Sequence, residues 1–402
     1  MSSDLRVAFF PDSYHEINGV AHTARQFVRF ARANRRDLLC VRAGPSAREF
    51  EEESVATLEL KRGLASFALD HEMRYDLLFW RHVRLVTRAV RRFEPDVVHI
   101  TGPSDVGQLG AFVAHSLGIP LMASWHTNLH DFAERRLQKL FSFAPPRGRA
   151  RFAGAVKERV LDAVLRFYRI PRILMAPNEE LAALIEERTG KPTYIMRRGV
   201  DTELFAPSRR SVTDSTFRLG FVGRLTPEKD VRFLAQIERA LLEAGKSNFR
   251  FLIVGAGSER PWLEKNLRHA ECTGLLTGVE LARAYANMDV FVFPSRSDTF
   301  GNVVLEAMAS GVPPVVTAAG GPKFLVDPGV SGYVAHTDDD FIEAIDSIMS
   351  RPALHKQLRL QAREHACGAE WDRVFNKVYE AYGACLRSET RGPAPELRRP
   401  VR

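Results

Sequence analysis

Short apolar runs alternate along this chain with longer stretches in which apolar positions recur every three or four residues. Leu5–Phe10 is the first run, and Gly19–Ala33 follows it with helical spacing, across a loop that contains Pro11, Asp12 and Asn18. The unit repeats through Asp37–Val41, Val97–Ile100 behind Pro95-Asp96, Pro120–Ser124 and Ile173–Ala176. Apolar runs bounded by turn residues predict buried strands, and strands that alternate with helices predict a parallel sheet. A polar, irregular stretch then intervenes over Ala206–Thr216, containing Pro207, Ser208, Arg209, Arg210 and Ser211. It reads as an interdomain linker.

A second series opens with the strand Arg218–Val222 and continues with helix Val231–Ala244, strand Phe249–Val254, helix Glu259–His269 and a strand near Cys272. Helix Val279–Asn287, strand Val290–Phe293, helix Val303–Ser310, strand Pro314–Thr317 and a helix near Phe341–Met349 complete it. The fold class is therefore α/β: two doubly wound, Rossmann-like domains whose facing strand ends make a cleft for a two-part ligand. The expected boundaries are a first domain over 1–205, a linker over 206–216, a second domain over 217–365 and a terminal helix within 366–386, patterned over Trp371–Leu386. The tail, 387–402, is rich in Pro and Arg and is expected to be disordered.

Composition narrows the class. A chain of 402 residues, 45% of them hydrophobic, can bury substantial cores. No stretch approaches the ~18 apolar residues of a membrane span, and the first residues lack a signal-peptide profile, so the expectation is a cytoplasmic protein. Cys40, Cys272, Cys367 and Cys385 have neither CxxC nor Cys/His metal spacing, which points to reduced thiols. The net charge of +8 is uneven: residues 134–172 carry eleven Lys/Arg against three acids, an excess equal to the whole. With Leu137, Leu140, Phe141, Phe143, Phe152 and Phe167 interleaved, this segment suits an anionic membrane surface, a nucleic acid, or a solvated helix face over a core.

Candidate chemistry concentrates where predicted strands end. After the strand Val290–Phe293, the residues Pro294 to Gly301 form a polar turn, and a helix follows at once. Free N–H groups and the positive end of the helix dipole would face the turn, which suits a phosphate or a hydroxyl-rich ligand. Asp298 stands at the mouth and Glu306 two turns into the helix, a separation that serves two parts of one extended ligand better than a paired acid and base. A lone Asp in such a turn can equally be an N-cap. After the strand Arg218–Val222, Arg224 and Lys229 are two cations in one strand-end loop, able to approach a diphosphate from different sides. Gly19 follows the first strand, His126 ends a strand of the first domain, and Gly255-Ala256-Gly257 is a further strand-end turn. His130 lies near His126, and His99 sits inside a buried strand pattern, which assigns it to structure. Asp338-Asp339-Asp340 precedes a helix, where capping and dipole stabilisation account for it.

These segments resemble the retaining nucleotide-sugar glycosyltransferases of the GT-B fold, of the family 4 type (glycosyl transferases group 1). Within that family they are most like the lipid-directed mannosyl-, sulfoquinovosyl- and glucosyl-diacylglycerol transferases. The resemblance rests on the acidic-x7-acidic run from Asp298 to Glu306 with its Phe-Pro-Ser lead, Phe300-Gly301 and the Glu-Ala-Met-Ala-Ser-Gly-Val-Pro tail. Asp298 stands where Glu is more usual. Gly223-Arg224 with Glu228-Lys229-Asp230 resembles the Gly-Arg-x3-Glu-Lys-Gly motif, with Asp230 in place of Gly, and Arg198-Gly199-Val200-Asp201 resembles an Asn-Gly-Val-Asp segment with Arg in place of Asn. Asn18-Gly19-Val20 and His126-Thr127 resemble first-domain loops of the lipid-directed members.

The resemblance implies hexose transfer, with retention, from a nucleotide diphosphate sugar (GDP-mannose or a UDP-sugar) to a membrane glycerolipid or lipid-linked sugar bound by the first domain. It implies that Arg224 and Lys229 neutralise the departing diphosphate, that backbone amides near Thr299, Phe300, Gly301 and Asn302 hold sugar or phosphate oxygens, and that Glu306 accepts from ribose hydroxyls. His126 and Asp298 would orient the sugar, and Gly19 would approach the donor. No metal and no obligatory cofactor are expected beyond the nucleotide sugar as co-substrate. A cytoplasmic enzyme, peripheral on the inner face of the cell membrane through 134–172, follows as an expectation, with no nucleic-acid partner because no RNA-reading aromatic motif accompanies the basic stripe. The alternatives are a soluble-acceptor glycosyltransferase and a non-catalytic nucleotide-sugar binding protein.

Overall fold

The computed structural model describes residues 5–16, 19–63, 66–70, 73–125, 158–298 and 300–387, with 67–70, 73 and 74 described by backbone alone. The chain divides into two compact units, the first comprising Met1–Met196 and Phe375–Arg402, the second Arg197–Val374. No described helix is long and apolar enough to cross a membrane.

Unit 1 is built on an eight-stranded sheet. Its strands are β1 (Val7–Phe10), β2 (Leu38–Gly44), β3 (Arg48–Glu52), β4 (Val55–Lys61), β7 (Val97–Ile100), β8 (Leu121–Ser124), β9 (Ile173–Ala176) and β10 (Thr193–Ile195). The spatial order is β10-β9-β8-β7-β1-β2-β4-β3, parallel throughout except for the β3–β4 hairpin at one edge. Strands β1, β7, β8 and β9 are buried at every position, as apolar runs covered by helices on both faces must be. The helices are α1 (Gly19–Ala33), α2 (Val83–Phe93), α3 (Asp105–Leu117) and α4 (Glu179–Thr189), with residues 158–167 also helical. A separate antiparallel pair, β5 (Ser66–Asp70) and β6 (Met73–Asp76), precedes α2.

Unit 2 has a six-stranded, wholly parallel sheet in the order β13-β12-β11-β14-β15-β16. These are β11 (Phe217–Val222), β12 (Phe249–Val254), β13 (Ala270–Gly274), β14 (Val290–Phe293), β15 (Pro314–Thr317) and β16 (Tyr333–Ala335). Helices α5 (Phe233–Glu243), α6 (Arg260–Asn266), α7 (Gly278–Ala286), α8 (Asn302–Ala309), α9 (Asp338–Ser350) and α10 (Pro352–Cys367) accompany them. Helix α6 stops three residues short of the expected His269. The buried Glu238 carboxylate accepts from the backbone N–H groups of Arg268 and His269, at 3.0 and 2.7 Å, and turns the chain into β13. Asp340 lies in the first turn of α9 and forms a capping box with Thr337, so the acidic run does serve a helix start.

The segment expected to be a linker is pinned to unit 2. Arg210 donates to the carbonyls of Ala286 and Met288 at 3.1 and 3.0 Å and pairs with Asp289 at 2.9 Å, while Asn287 accepts from the Ser211 N–H at 2.8 Å. Ahead of it, Val200 pairs with Glu370 and Thr202 donates to the Glu370 carboxylate. The units therefore part at Met196, not at the Phe205 drawn from the sequence.

The last helix, α11 (Trp371–Arg387), returns the chain to unit 1 from Phe375 onward. Phe375 and Tyr379 pack on Phe27 and Phe30 of α1, with ring centroids 5.1 to 6.0 Å apart. One turn further, Tyr382 lies 2.7 Å from Nδ1 of His99 on β7, whose Nε2 lies 2.6 Å from the Ser124 hydroxyl. Every polar atom is satisfied when the Tyr382 hydroxyl donates to Nδ1, Nε2–H donates to Ser124 Oγ, and the Ser124 hydroxyl turns to the Met196 sulfur at 3.7 Å. His99 is thus a structural histidine, as its place in a buried strand implies. Residues 388–402, most of the tail, lie outside the described residues.

Burial pushes the His99 imidazole down from 6.5 to about 3. The unfolded chain takes up a proton as pH falls below 6.5 while the folded one does not, so His99 leaves stability whole above 6.5 and erodes it at about 1.4 kcal/mol per pH unit down toward 3. In chemical denaturation between pH 7.5 and 5, His99→Gln is expected to lose distinctly less stability than the parent. Equal slopes for the two proteins would remove His99 as the source.

Candidate functional site

In unit 2 the chain runs outward from β11 through β12 to β13, then crosses back to β14 and proceeds the other way. At such a reversal the loops leaving the carboxyl ends of the two central strands diverge, and a ligand fits between them. The two loops here are Gly223–Asp230 after β11 and Pro294–Gly301 after β14, which hold the sequence-predicted residues Arg224, Lys229, Asp298, Phe300 and Gly301.

Side chains of one loop bind the backbone of the other. Ser295 and Ser297 donate to the Glu228 carbonyl at 3.5 and 3.2 Å, Thr317 donates to the Ser295 carbonyl at 3.1 Å, and the Gly321 N–H donates to the Asp298 carbonyl at 2.7 Å. Gly255 and Gly257, read from the sequence as a strand-end turn, have a packing reason as well. A Cβ on Gly255 would stand 1.9 Å from the Gly223 carbonyl oxygen, and one on Gly257 would stand 2.2 Å from that of Leu225. Asp230, where the family motif has Gly, holds φ +52°, the left-handed region that Asp tolerates better than most residues.

Within this frame Lys229 Nζ donates to both oxygens of Asp298, at 2.6 and 2.8 Å, and stands 5.9 Å from the centre of the Phe293 ring. Both partners are largely buried. The Arg224 guanidinium is 3.4 Å from the Glu228 carboxylate, which also accepts from the Thr226 hydroxyl at 2.7 Å. Asp298 is therefore an ion-pair partner, and the N-cap of α8 is Gly301 at φ +88°, with no side-chain cap. The Val304 N–H donates to the Gly301 carbonyl at 2.9 Å, while Gly301 has no side chain to cap the amides of Asn302 and Val303. Phe300 is buried in the core, so only its backbone is available to a ligand. Thr299 lies outside the described residues.

Glu306, half-buried on α8, accepts from the hydroxyl of the fully buried Tyr285 on α7 at 2.8 Å. Burial raises the carboxyl of Glu306 and the tyrosine bond lowers it, while burial holds the Tyr285 phenol well above its ordinary 10. The phenol donates to Oε2, which leaves the acceptor capacity of Oε1 for another donor. Tyr285 has no mark in the sequence, because its place on α7 reads as a core position.

The corresponding reversal in unit 1 lies between β1 and β7. The Asp12 N–H after β1 donates to the Thr101 hydroxyl at 2.7 Å, and the Ser104 hydroxyl donates to the Asp12 carboxylate at 2.5 Å. Gly102 and Gly107 make the room: a Cβ on either would meet that carboxylate, at 2.1 and 3.2 Å. Burial pushes the Asp12 carboxyl up to about 7, against the Ser104 bond that lowers it. Gly19 opens α1 nearby in sequence, and its carbonyl accepts from Thr23 at 2.9 Å. His126 and residues 134–157 lie outside the described residues. Over 158–172 the apolar side chains Leu161, Val164, Leu165 and Tyr168 are buried in the unit 1 core, Phe167 packs against it, and Arg159, Arg166 and Arg169 are exposed, so this end of the basic segment is an ordinary amphipathic face.

Two family models match the chain, "Glycosyltransferase Family 4" over residues 17–204 and "Glycosyl transferases group 1" over residues 216–351. A GDP-mannose-dependent alpha-mannosyltransferase of Mycolicibacterium smegmatis is 34% identical over 74% of this chain and 76% of its own length. The like-named enzyme of Corynebacterium glutamicum is 29% identical over 94% of this chain and 86% of its own. Among solved structures, the sucrose-phosphate synthase of Thermosynechococcus elongatus matches with a TM-score of 0.71 at 17% identity, over 96% of this chain and all of that one, which establishes the GT-B fold. With two Rossmann-like units, a cationic and acidic pair of loops at the strand reversal of the second, and these relatives, the chain belongs to glycosyltransferase family 4 and is a nucleotide-sugar-dependent glycosyltransferase.

Proposed function

We propose that this enzyme transfers a hexose, with retention of anomeric configuration, from a nucleotide diphosphate sugar to a membrane glycerolipid or lipid-linked sugar. The observation that carries the proposal is the Lys229–Asp298 pair at the β11/β14 reversal, with Arg224 beside it. A diphosphate arriving there meets two cations on one loop and the uncapped start of α8, and these stabilise the charge that builds as the sugar departs. Asp298, freed from part of its contact with Lys229, accepts hydroxyls of the sugar, and Glu306 accepts from the ribose through the oxygen that Tyr285 leaves open. In a front-face displacement the departing phosphate oxygen takes the acceptor's proton, so the chain need supply no strong base. The names of the mannosyltransferase relatives favour GDP-mannose as donor over a UDP-sugar. Incubation with GDP-mannose, UDP-glucose and UDP-galactose, read by nucleotide release and by the anomeric configuration of the product, tests donor and stereochemistry together. An inverted product, or no turnover of any of the three, would sink the proposal.

Lys229→Ala and Arg224→Ala are each expected to lower kcat by about 10² or more, because each removes a charge aimed at the leaving group. Steady-state kinetics at saturating donor decide the matter, and parent-like kcat in both variants would remove the diphosphate assignment. Asp298→Glu is expected to retain activity, since the longer carboxylate still reaches a hydroxyl, whereas Asp298→Ala leaves Lys229 and the sugar without a partner and loses most of it.

Tyr285→Phe keeps the buried ring and deletes one donor to Glu306. The expected result is a donor KM raised about 3- to 10-fold, the equivalent of one hydrogen bond, with kcat changed less and thermal stability within about 1 kcal/mol of the parent. Equal losses in kcat and kcat/KM would instead place the tyrosine's influence on the reacting end of the donor.

A further inference from the structure

A second basic and apolar region lies in unit 1, on described residues and apart from the 134–172 segment. Between Leu77 and Phe93 the chain has five arginines and no acidic residue. On α2, Val86, Ala89 and Val90 are buried, while Arg84, Arg88 and Arg91 recur at helical spacing along the exposed face with Leu85 beside them. Among the described residues these three arginines have no hydrogen-bond or ion-pair partner, whereas Arg92 is engaged by Glu49.

The turn before α2 carries the apolar part. Leu77, Leu78, Trp80 and Leu85, with Phe112 of α3, are between 43% and 63% exposed, and the Trp80 and Phe112 rings meet edge to face at 5.2 Å. The turn is held rigidly. Buried Asp76 accepts from the N–H groups of Gly63 and Leu78 at 2.6 and 3.0 Å and from Arg81 at 2.9 Å, and Arg81 also donates to the carbonyls of Leu78 and Lys61, both at 2.8 Å. Exposing a tryptophan and two leucines to water on a fixed turn, with Leu85 close by on α2, is unfavourable unless something covers them. Trp at a water–hydrocarbon boundary flanked by unpaired arginines is the composition that an anionic lipid surface complements, through apolar insertion and attraction to headgroups.

We infer that the Leu77–Trp80 turn and the exposed face of α2 form the docking surface of this enzyme for an anionic lipid bilayer. The inference rests on the membrane-acceptor reading above and gives it a place on the chain other than residues 134–172. An arginine that reaches an anionic surface strengthens binding about fivefold, so three act on the order of 100-fold together, with strong dependence on salt.

The test is sedimentation of the full chain with vesicles of phosphatidylglycerol and phosphatidylcholine, and of phosphatidylcholine alone, at low and high salt. The parent is expected to bind the anionic vesicles at low salt. R84E/R88E/R91E is expected to weaken this on the order of 100-fold and W80S/L85S about 10-fold or more, with parent-like release of GDP from GDP-mannose and an unchanged melting temperature in both. Parent-like vesicle binding by both variants, with loss of binding in R135E/R136E/K139E, would overturn the assignment and return it to the 134–172 segment. A parent that ignores anionic vesicles would overturn the docking surface while its GDP release shows the donor chemistry to stand. A parent that dissociates from dimer to monomer on either substitution would instead make this face a contact between two copies. If no nucleotide is released from any donor, the enzymatic reading fails, while loss of vesicle binding in the two variants still supports the docking surface and parent-like binding in both overturns it.

Discussion

The strand reversal between β11 and β14 is the constraint on which the site of unit 2 depends. In a parallel sheet every crossover is long and right-handed, and the chain cannot place helices on both faces without changing direction once. Where it does so, no crossover covers the carboxyl ends of the two central strands. Both central strands are apolar through most of their length, so the first polar residues after Val222 and Phe293 are forced into the same small region. Arg224, Lys229 and Asp298 are neighbours because of that geometry, although as many as 74 positions separate them in the chain.

Topology alone brings loops together without fixing them, and the finer arrangement is the work of neutral hydrogen bonds. The Glu228 carbonyl accepts two serines of the opposite loop, and the Gly321 N–H holds the carbonyl of Asp298. Each such bond contributes about 1 kcal/mol net, yet together they set the direction of an ammonium and a carboxylate that would otherwise sample many rotamers. Tyr285 does the same for Glu306 from beneath. The charged groups are therefore positioned by uncharged ones, which lie in the core or in the backbone and tolerate little displacement.

Much of the architecture was legible in the chain because parallel strands are nearly continuous apolar runs. Val97–Ile100, Ile173–Ala176, Phe249–Val254, Val290–Phe293 and Pro314–Thr317 have the same bounds in sequence and structure. The β3–β4 hairpin was not legible, since β3 lies at an edge with most side chains in water and lacks the apolar run of a covered strand. The close of unit 1 was misplaced by nine residues because polarity near 206–216 suggested freedom, where Arg210 and Asn287 in fact tie that stretch down. In the site, strand-end position and charge marked Arg224, Lys229, Asp298 and Glu306. Tyr285 and Asp12 went unmarked: one looks like any core aromatic and the other like any loop acid, and only three-dimensional neighbours distinguish them. Counting net charge by segment drew attention to 134–172 and away from α2, whose arginines are spread among buried aliphatic positions.

The contact of Gly255 and Gly257 with the carbonyls of Gly223 and Leu225 makes two stretches of chain, some thirty residues apart, a single mechanical part. A side chain added at either glycine pushes on the loop that carries Arg224 and Lys229 before it disturbs the rest of the sheet. Because the atoms struck are main chain, and Gly255 also holds φ +145°, a substitution at either glycine lowers the stability of unit 2 at the same time as it displaces the two cations.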